Sequence, residues 1–276
     1  MTGRTFAEKI LGAGAGTIVF RKPDIVLSHD NTSSIEKIFR KMNGKKLSDP
    51  RKLLVTLDHN APPGNAILAN DYEQIRKFVR NNGVTGFYDA GEGICHQLMA
   101  GHARPGMIVV GSDSHTCNAG ALNAFAAGID RTETAGIWKT GETWFRVPQS
   151  MRIALKNHLP EHVYAKDIIL SIIGRIGADG ADYLSVEFHG DGLRCLTVDD
   201  RMVIANMASE MGAKNAVFPA DEVLADFTGE TTDGVWADPD AVYASELMID
   251  LSELFPVIAC PHQVDNIRAV EEVAGT

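Results

Sequence analysis

A chain of 276 residues that is 45% hydrophobic, 22% charged and 7% aromatic is long enough to bury a core without disulfide staples. Its formal net charge of −10 argues against nucleic acid as a partner, since phosphate contacts need clustered Lys and Arg. No apolar run approaches the roughly 20 residues of a spanning helix, and the N-terminus lacks a signal-peptide core, so the expected setting is the cytoplasm, away from membranes.

In chain order, residues 6–11 carry helical spacing and run into Gly12-Ala13-Gly14-Ala15-Gly16. A dinucleotide-binding glycine loop must follow a strand, so this run reads as a helix C-cap and turn. Short apolar runs at 24–27, 53–57, 86–88 and 107–110 read as buried parallel strands, with helical periods at 35–42 and 72–81 between them. That rhythm predicts a doubly wound α/β fold. Further on, the pattern predicts helices at 120–127 and 134–140 and an extended stretch at 143–148. It then restarts with a helix at 165–176, a strand at 183–188 and a helix at 199–211. The acidic stretch 221–240 reads as a solvated excursion. Two lobes are expected, 1–150 and 151–276, although no linker-like composition marks the division.

Polar clusters follow three of the strands at once: Ser28-His29-Asp30, Asp58-His59-Asn60 and Gly111-Ser112-Asp113-Ser114-His115. Ligand crevices of open α/β sheets lie just beyond the carboxyl ends of the strands, so these clusters stand where a site belongs. His29, His59 and His115 each have an acidic neighbour in Asp30, Asp58 or Asp113, and His96 completes a set of four histidines. A carboxylate beside an imidazole fixes its tautomer and raises its basicity, which suits acid–base work. A hydrolytic zinc site competes on composition, but no H-E-x-x-H or H-x-H pattern is present. The cysteines, Cys95, Cys117, Cys195 and Cys260, form no C-x-x-C pair and read as small buried hydrophobes.

Asp113-Ser114-His115-Thr116, preceded by residues 105–111 and followed by Asn118, resembles the signature of the aconitase superfamily. The resemblance extends through Leu57-Asp58-His59-Asn60, Gly93-Ile94-Cys95-His96-Gln97, Trp144-Phe145-Arg146-Val147-Pro148, Glu187-Phe188-His189-Gly190 and 206–214. It is nearest to the large subunits of 3-isopropylmalate dehydratase and homoaconitase. It implies three-layer α/β/α lobes with mainly parallel sheets and a hydro-lyase activity that removes and re-adds water on a hydroxy-di- or tricarboxylate. It also implies a [4Fe–4S] cluster as Lewis acid and a small subunit as partner. By the same resemblance, His59 with Asp58 is the acid that protonates the departing hydroxyl. His96 with Asp113 and His115 with Glu187 are two further histidine–carboxylate pairs. Ser114, Asn118 and His29 are substrate-contacting groups.

The three cluster cysteines of the family, in a G-S-C-T-N segment and a C-x-x-C, are missing from this sequence, so no cluster ligand is assigned here. The family's substrate-binding arginines and serine base also lie elsewhere. The expectation is therefore an N-terminal portion of a dehydratase large subunit that needs the remainder for turnover. The alternative is a complete, non-enzymatic module that binds a metal or a dicarboxylate. Isopropylmalate, homocitrate, dimethylmalate and citramalate-type substrates all stay open.

Overall fold

A computed structural model describes residues 3–231 and 233–275. Two parallel sheets organise the chain. The first has five strands in the order Gly86–Tyr88, Leu53–Thr56, Ile25–Ser28, Ile108–Gly111, Phe125–Gly128, every neighbouring pair parallel. Leu53–Thr56 and Ile108–Gly111 are buried at every position, which is why their sequences run apolar instead of alternating. The chain winds outward from Ile25–Ser28 to Gly86–Tyr88, then crosses to start again at Ile108–Gly111. The order reverses between Ile25–Ser28 and Ile108–Gly111, the switch point beside which ligand sites of such sheets lie. The second sheet, Asn215–Val217, Ser185–His189, Ser150–Lys156, Ser245–Asp250, is parallel throughout and winds in the same way.

Local chemistry sets the helix ends. Thr5 and Glu8 form a capping box ahead of Phe6–Leu11, and Gly12 closes that helix in the left-handed conformation (φ 68°), so the glycine run is a cap and turn. Asn65 caps Ala66–Asn82, and Asp130 with Glu133 caps Arg131–Thr140. The helix Ala165–Ile176 spans the residues its periodicity predicts.

Three expectations are corrected. Residues 120–127 form no helix: a 3-10 segment, Ser114–Leu122, ends there and the strand Phe125–Gly128 follows. The small side chains serve close approach, since Phe218 N–H donates to the Gly120 carbonyl at 3.1 Å and a Cβ on Gly120 would run into the Ala216 carbonyl oxygen. The helix expected over 199–211 spans Val198–Met207 and tightens into a 3-10 turn, Ala208–Met211. The stretch 221–240 opens with a helix, Glu222–Thr228, and Val235 and Trp236 then pack against the core. Composition alone also left several elements unseen. These are the helix Cys95–Ala100, the strand Ile18–Arg21, which pairs antiparallel with Thr143–Arg146 of the expected extended stretch, and the hairpin of Val257–Ala259 with Ile267–Ala269.

One buried cluster joins Leu27, Leu54 and Val109 of the first sheet to Ile153, Val186 and Ile249 of the second, so the core runs across residue 150. The Ser114–Leu122 segment is the bridge. Asn118 Nδ2 donates to the Met202 carbonyl at 3.1 Å, and the neighbouring Asn123 amide donates to the carbonyls of Phe218 (2.9 Å) and Val235 (3.0 Å). Gly120→Val forces this bridge apart and is expected to cost about 3 kcal/mol of stability, read as a lowered urea midpoint with unchanged slope.

Candidate active site

Four strand ends of the first sheet deliver the candidate residues to one place. His29, Asp30 and Asn31 follow Ile25–Ser28, and Asp58, His59 and Asn60 follow Leu53–Thr56. Cys95 and His96 open the helix after Gly86–Tyr88, and Asp113 to His115 follow Ile108–Gly111. His59 stands at the centre. Its Nδ1 lies 3.0 Å from Asp58 Oδ1 and its Nε2 lies 3.0 Å from Asp113 Oδ2, so each ring nitrogen faces a carboxylate. Two acceptors require two ring protons, which is the imidazolium form. Burial alone would lower the His59 pKa, but Asp58 and Asp113 together raise it above the usual imidazole value.

His29 stacks on His59 with ring centroids 3.8 Å apart and planes inclined by 20°. Asn31 fixes its state. The Asn31 amide donates to His29 Nε2 at 2.7 Å and to the Ser112 carbonyl at 2.8 Å, while its Oδ1 accepts from Ser112 Oγ at 3.0 Å. His29 Nε2 therefore accepts, and the ring is neutral. Burial, aided by the neighbouring His59 charge, pushes its pKa down in agreement. A charged and a neutral imidazole thus share one stack.

Asp113 is the common partner. Besides His59, its Oδ1 accepts the His115 backbone N–H at 2.7 Å and lies 3.4 Å from His96 Nε2. Burial acts to raise the Asp113 carboxyl, but these imidazoles and the N–H hold it well below the ordinary range. Burial likewise opposes the Asp58 charge, yet donation from Cys95 N–H at 2.7 Å and from His59 keeps its pKa lowered. The carboxylates are nearly covered, at 4% and 8% side-chain exposure, whereas His59 is 36% exposed. The acid faces solvent while its anchors do not.

Two expected placements are overturned. His115 does not pair with Glu187; its Nε2 meets Glu210 Oε1 at 3.2 Å, and Ser114 Oγ lies 3.2 Å from its Nδ1. Glu187 is fully buried in the second sheet, where it accepts from Phe6 N–H (2.9 Å) and Tyr243 O–H (3.0 Å) beside His189. It ties the first helix to that sheet and lies outside the cluster. Asn118 is 7% exposed, and its amide is committed to the Met202 carbonyl, so it packs the bridge instead of facing a substrate. Sequence reasoning missed Asp30 as an anchor: it accepts from Asp58 N–H (3.1 Å), Asn60 N–H (2.5 Å), the Asn60 amide (2.9 Å) and Tyr72 O–H (3.0 Å). Glu210 was also missed, although it lies inside the 206–214 motif.

The family model for aconitase (aconitate hydratase) matches residues 6–275. The chain belongs to the aconitase family. It is 44% identical over 286 aligned residues to "3-isopropylmalate dehydratase large subunit 1" of Methanopyrus kandleri, covering 99% of this chain and 68% of that protein. It is 41% identical to the protein of that name from Thermotoga maritima, over 98% of this chain and 68% of the relative. It is 43% identical to a "probable methanogen homoaconitase large subunit" of Methanosarcina mazei, over 92% and 66% respectively. These relatives mark the fold as that of a hydro-lyase family. Among the described residues no helix is long and apolar enough to cross a membrane.

Membership of the family implies a [4Fe–4S] cluster, which needs converging thiolates. The cysteines of this chain are a poor match for that need. Each close-set group of ligand atoms among the described residues contains at most one of them. Burial pushes the Cys95 thiol well up and the Cys117 thiol up to about 12. Cys195 donates to the Gly192 carbonyl at 3.0 Å, and Cys260 lies just past the strand Val257–Ala259.

Because the His59 pKa is raised, the stability from its charge is fully present below about 6.5 and is lost as pH rises through the higher folded value. The His59 ring is expected to titrate above about 6.5 by NMR, and Asp113→Asn to bring that midpoint down. An unmoved midpoint would show that the Asp113 bridge does not hold the proton.

Proposed function

We propose that this chain carries the acid side of a hydro-lyase site for a hydroxy-di- or tricarboxylate, the class that includes isopropylmalate and homocitrate. The observation that carries the reading is His59, gripped by two carboxylates at 3.0 Å each and exposed on its open edge. Dehydration breaks a carbon–oxygen bond, and the departing oxygen needs a proton. His59 donates one of the ring protons its carboxylates otherwise accept, so that water leaves in place of hydroxide; Asp58 and Asp113 keep the ring oriented and favour its cationic form, and solvent returns the proton. His96, His115 and Ser114, on the rim around Asp113, are proposed to hold the substrate's carboxylate and hydroxyl oxygens. Neutral His29 supports the His59 ring from one face without repelling its charge strongly. The base that takes the carbon-bound proton lies outside this cluster.

The cysteine placement supports a further part of the reading: this chain alone does not hold the family's cluster. Turnover then draws on thiolates from elsewhere and on a small-subunit partner, as the names of the relatives suggest for those proteins. Anaerobic reconstitution with iron and sulfide is expected to leave no stoichiometric cluster, read as iron and acid-labile sulfide per chain. About four of each per chain would overturn this part.

The acid role is tested by titrating the chain with isopropylmalate, homocitrate and citramalate while following the histidine ring signals. At least one ligand is expected to shift His59 together with His96 or His115, and His59→Asn to weaken that ligand about tenfold. Binding that leaves all four rings unmoved would refute the assignment. The raised His59 pKa further predicts that ligand binding holds through neutral pH and declines as His59 loses its proton on the alkaline side.

A further inference from the structure

Three sets of ligand atoms in the cluster lie close enough to share an ion: His29, His59 and Asp113; Asp58, His59 and Cys95; and Cys95, His96 and Asp113. In each set the atoms lie within 4.8 Å of one another. The first two both rely on His59, whose ring nitrogens are already occupied by Asp58 and Asp113 at 3.0 Å. The third set differs. His96 Nε2 and Asp113 Oδ1 are 3.4 Å apart, longer than the His59 bonds. Ligands at about 2.0–2.3 Å from a tetrahedral ion stand about 3.3–3.8 Å from one another, so this pair is spaced like two corners of such a site. Cys95 Sγ lies within 4.8 Å of both and adds a thiol to the nitrogen and oxygen donors, which is zinc-class chemistry.

We propose that Cys95 Sγ, His96 Nε2 and Asp113 Oδ1 bind a single divalent ion of the zinc class, with the fourth position left to water. Asp113 divides its carboxylate, Oδ1 to the ion and Oδ2 to His59, so the acid keeps its anchor. Asp58 and Asp113 place two negative charges against one imidazolium here, and a cation relieves that excess. Binding converts the Cys95 S–H into a thiolate–metal bond, and its proton leaves to solvent, one per ion bound. Because the thiol loses its proton on binding, affinity rises with pH. The site is separate from the cluster-binding thiolates of the family and does not rest on the hydro-lyase reading.

The test uses the whole chain, stripped with a chelator and titrated with Zn²⁺ by calorimetry in buffers of different ionisation enthalpy. Co²⁺ serves as the spectroscopic probe. The expected result is one equivalent of Zn²⁺ with one proton released, and a thiolate-to-cobalt charge-transfer band. Cys95→Ser is expected to abolish that band, and both Cys95→Ser and His96→Asn to weaken Zn²⁺ at least tenfold. Cys195→Ser and Cys260→Ser are expected to leave binding unchanged, and circular dichroism melts identify any variant that fails to fold. No binding, or binding equally strong in folded Cys95→Ser and His96→Asn, would overturn the proposal. Neither result touches the His59 assignment, which is read from carboxylate titration of the metal-free chain.

Discussion

The Asp113 carboxylate is the interaction on which the rest of the site depends. It sits at the end of Ile108–Gly111, on one side of the point where the strand order reverses, and His59 reaches it from the strand end two places across the sheet. A buried carboxylate is costly unless it is paired, and here imidazoles and a backbone N–H supply the compensation. That demand, more than any single histidine, draws three loops toward one point. The crevice of the doubly wound sheet makes the meeting possible, because parallel strands deliver all their carboxyl ends to one edge.

Around this anchor the histidines are differentiated by hydrogen bonding. His59 faces two acceptors and is cationic; His29 receives a donor from Asn31 and is neutral. The same side chain thus serves as an acid in one position and as a spacer in the other. Asp30 acts one layer out. By gathering donors from Asp58, Asn60 and Tyr72, it ties the loop carrying His59 to the long helix Ala66–Asn82, which restrains that loop without touching the imidazole. A rigid acid loses less on reaching a reactive geometry, so this outer tie is part of the chemistry.

The second sheet contributes by support. Ser114–Leu122 leaves the site and inserts between the sheets, where Gly120 and Asn118 accept the close contacts of Val198–Met207 and Asn215–Val217. Glu210 returns from that side to meet His115. This chain spans 68% of the length of the Methanopyrus kandleri relative, and the His59–Asp58–Asp113 cluster assembles within that span because each of these residues follows a strand of the first sheet.

The apolar runs at 24–27, 53–57, 86–88 and 107–110, the cap at Gly12, and the helix at 165–176 were legible by themselves, since each is set by neighbours in sequence. So was the Asp58–His59 pair, whose partners are adjacent. The placement of polar clusters at strand ends was legible because a parallel sheet leaves them nowhere else to go. Tertiary structure alone decided that His59 also reaches Asp113, that His29 stacks on it, and that Asp30 anchors the loop. Each depends on which strands lie side by side. It also decided that residues 120–127 bend into a 3-10 segment and a strand, as small residues there satisfy the packing of a second sheet and not their own helical preference. Glu187 shows the same limit. Its chemistry suits a histidine partner, but the one within reach is His189 and not His115, and its carboxylate bonds to Phe6 and Tyr243, the donors that its backbone position brings close.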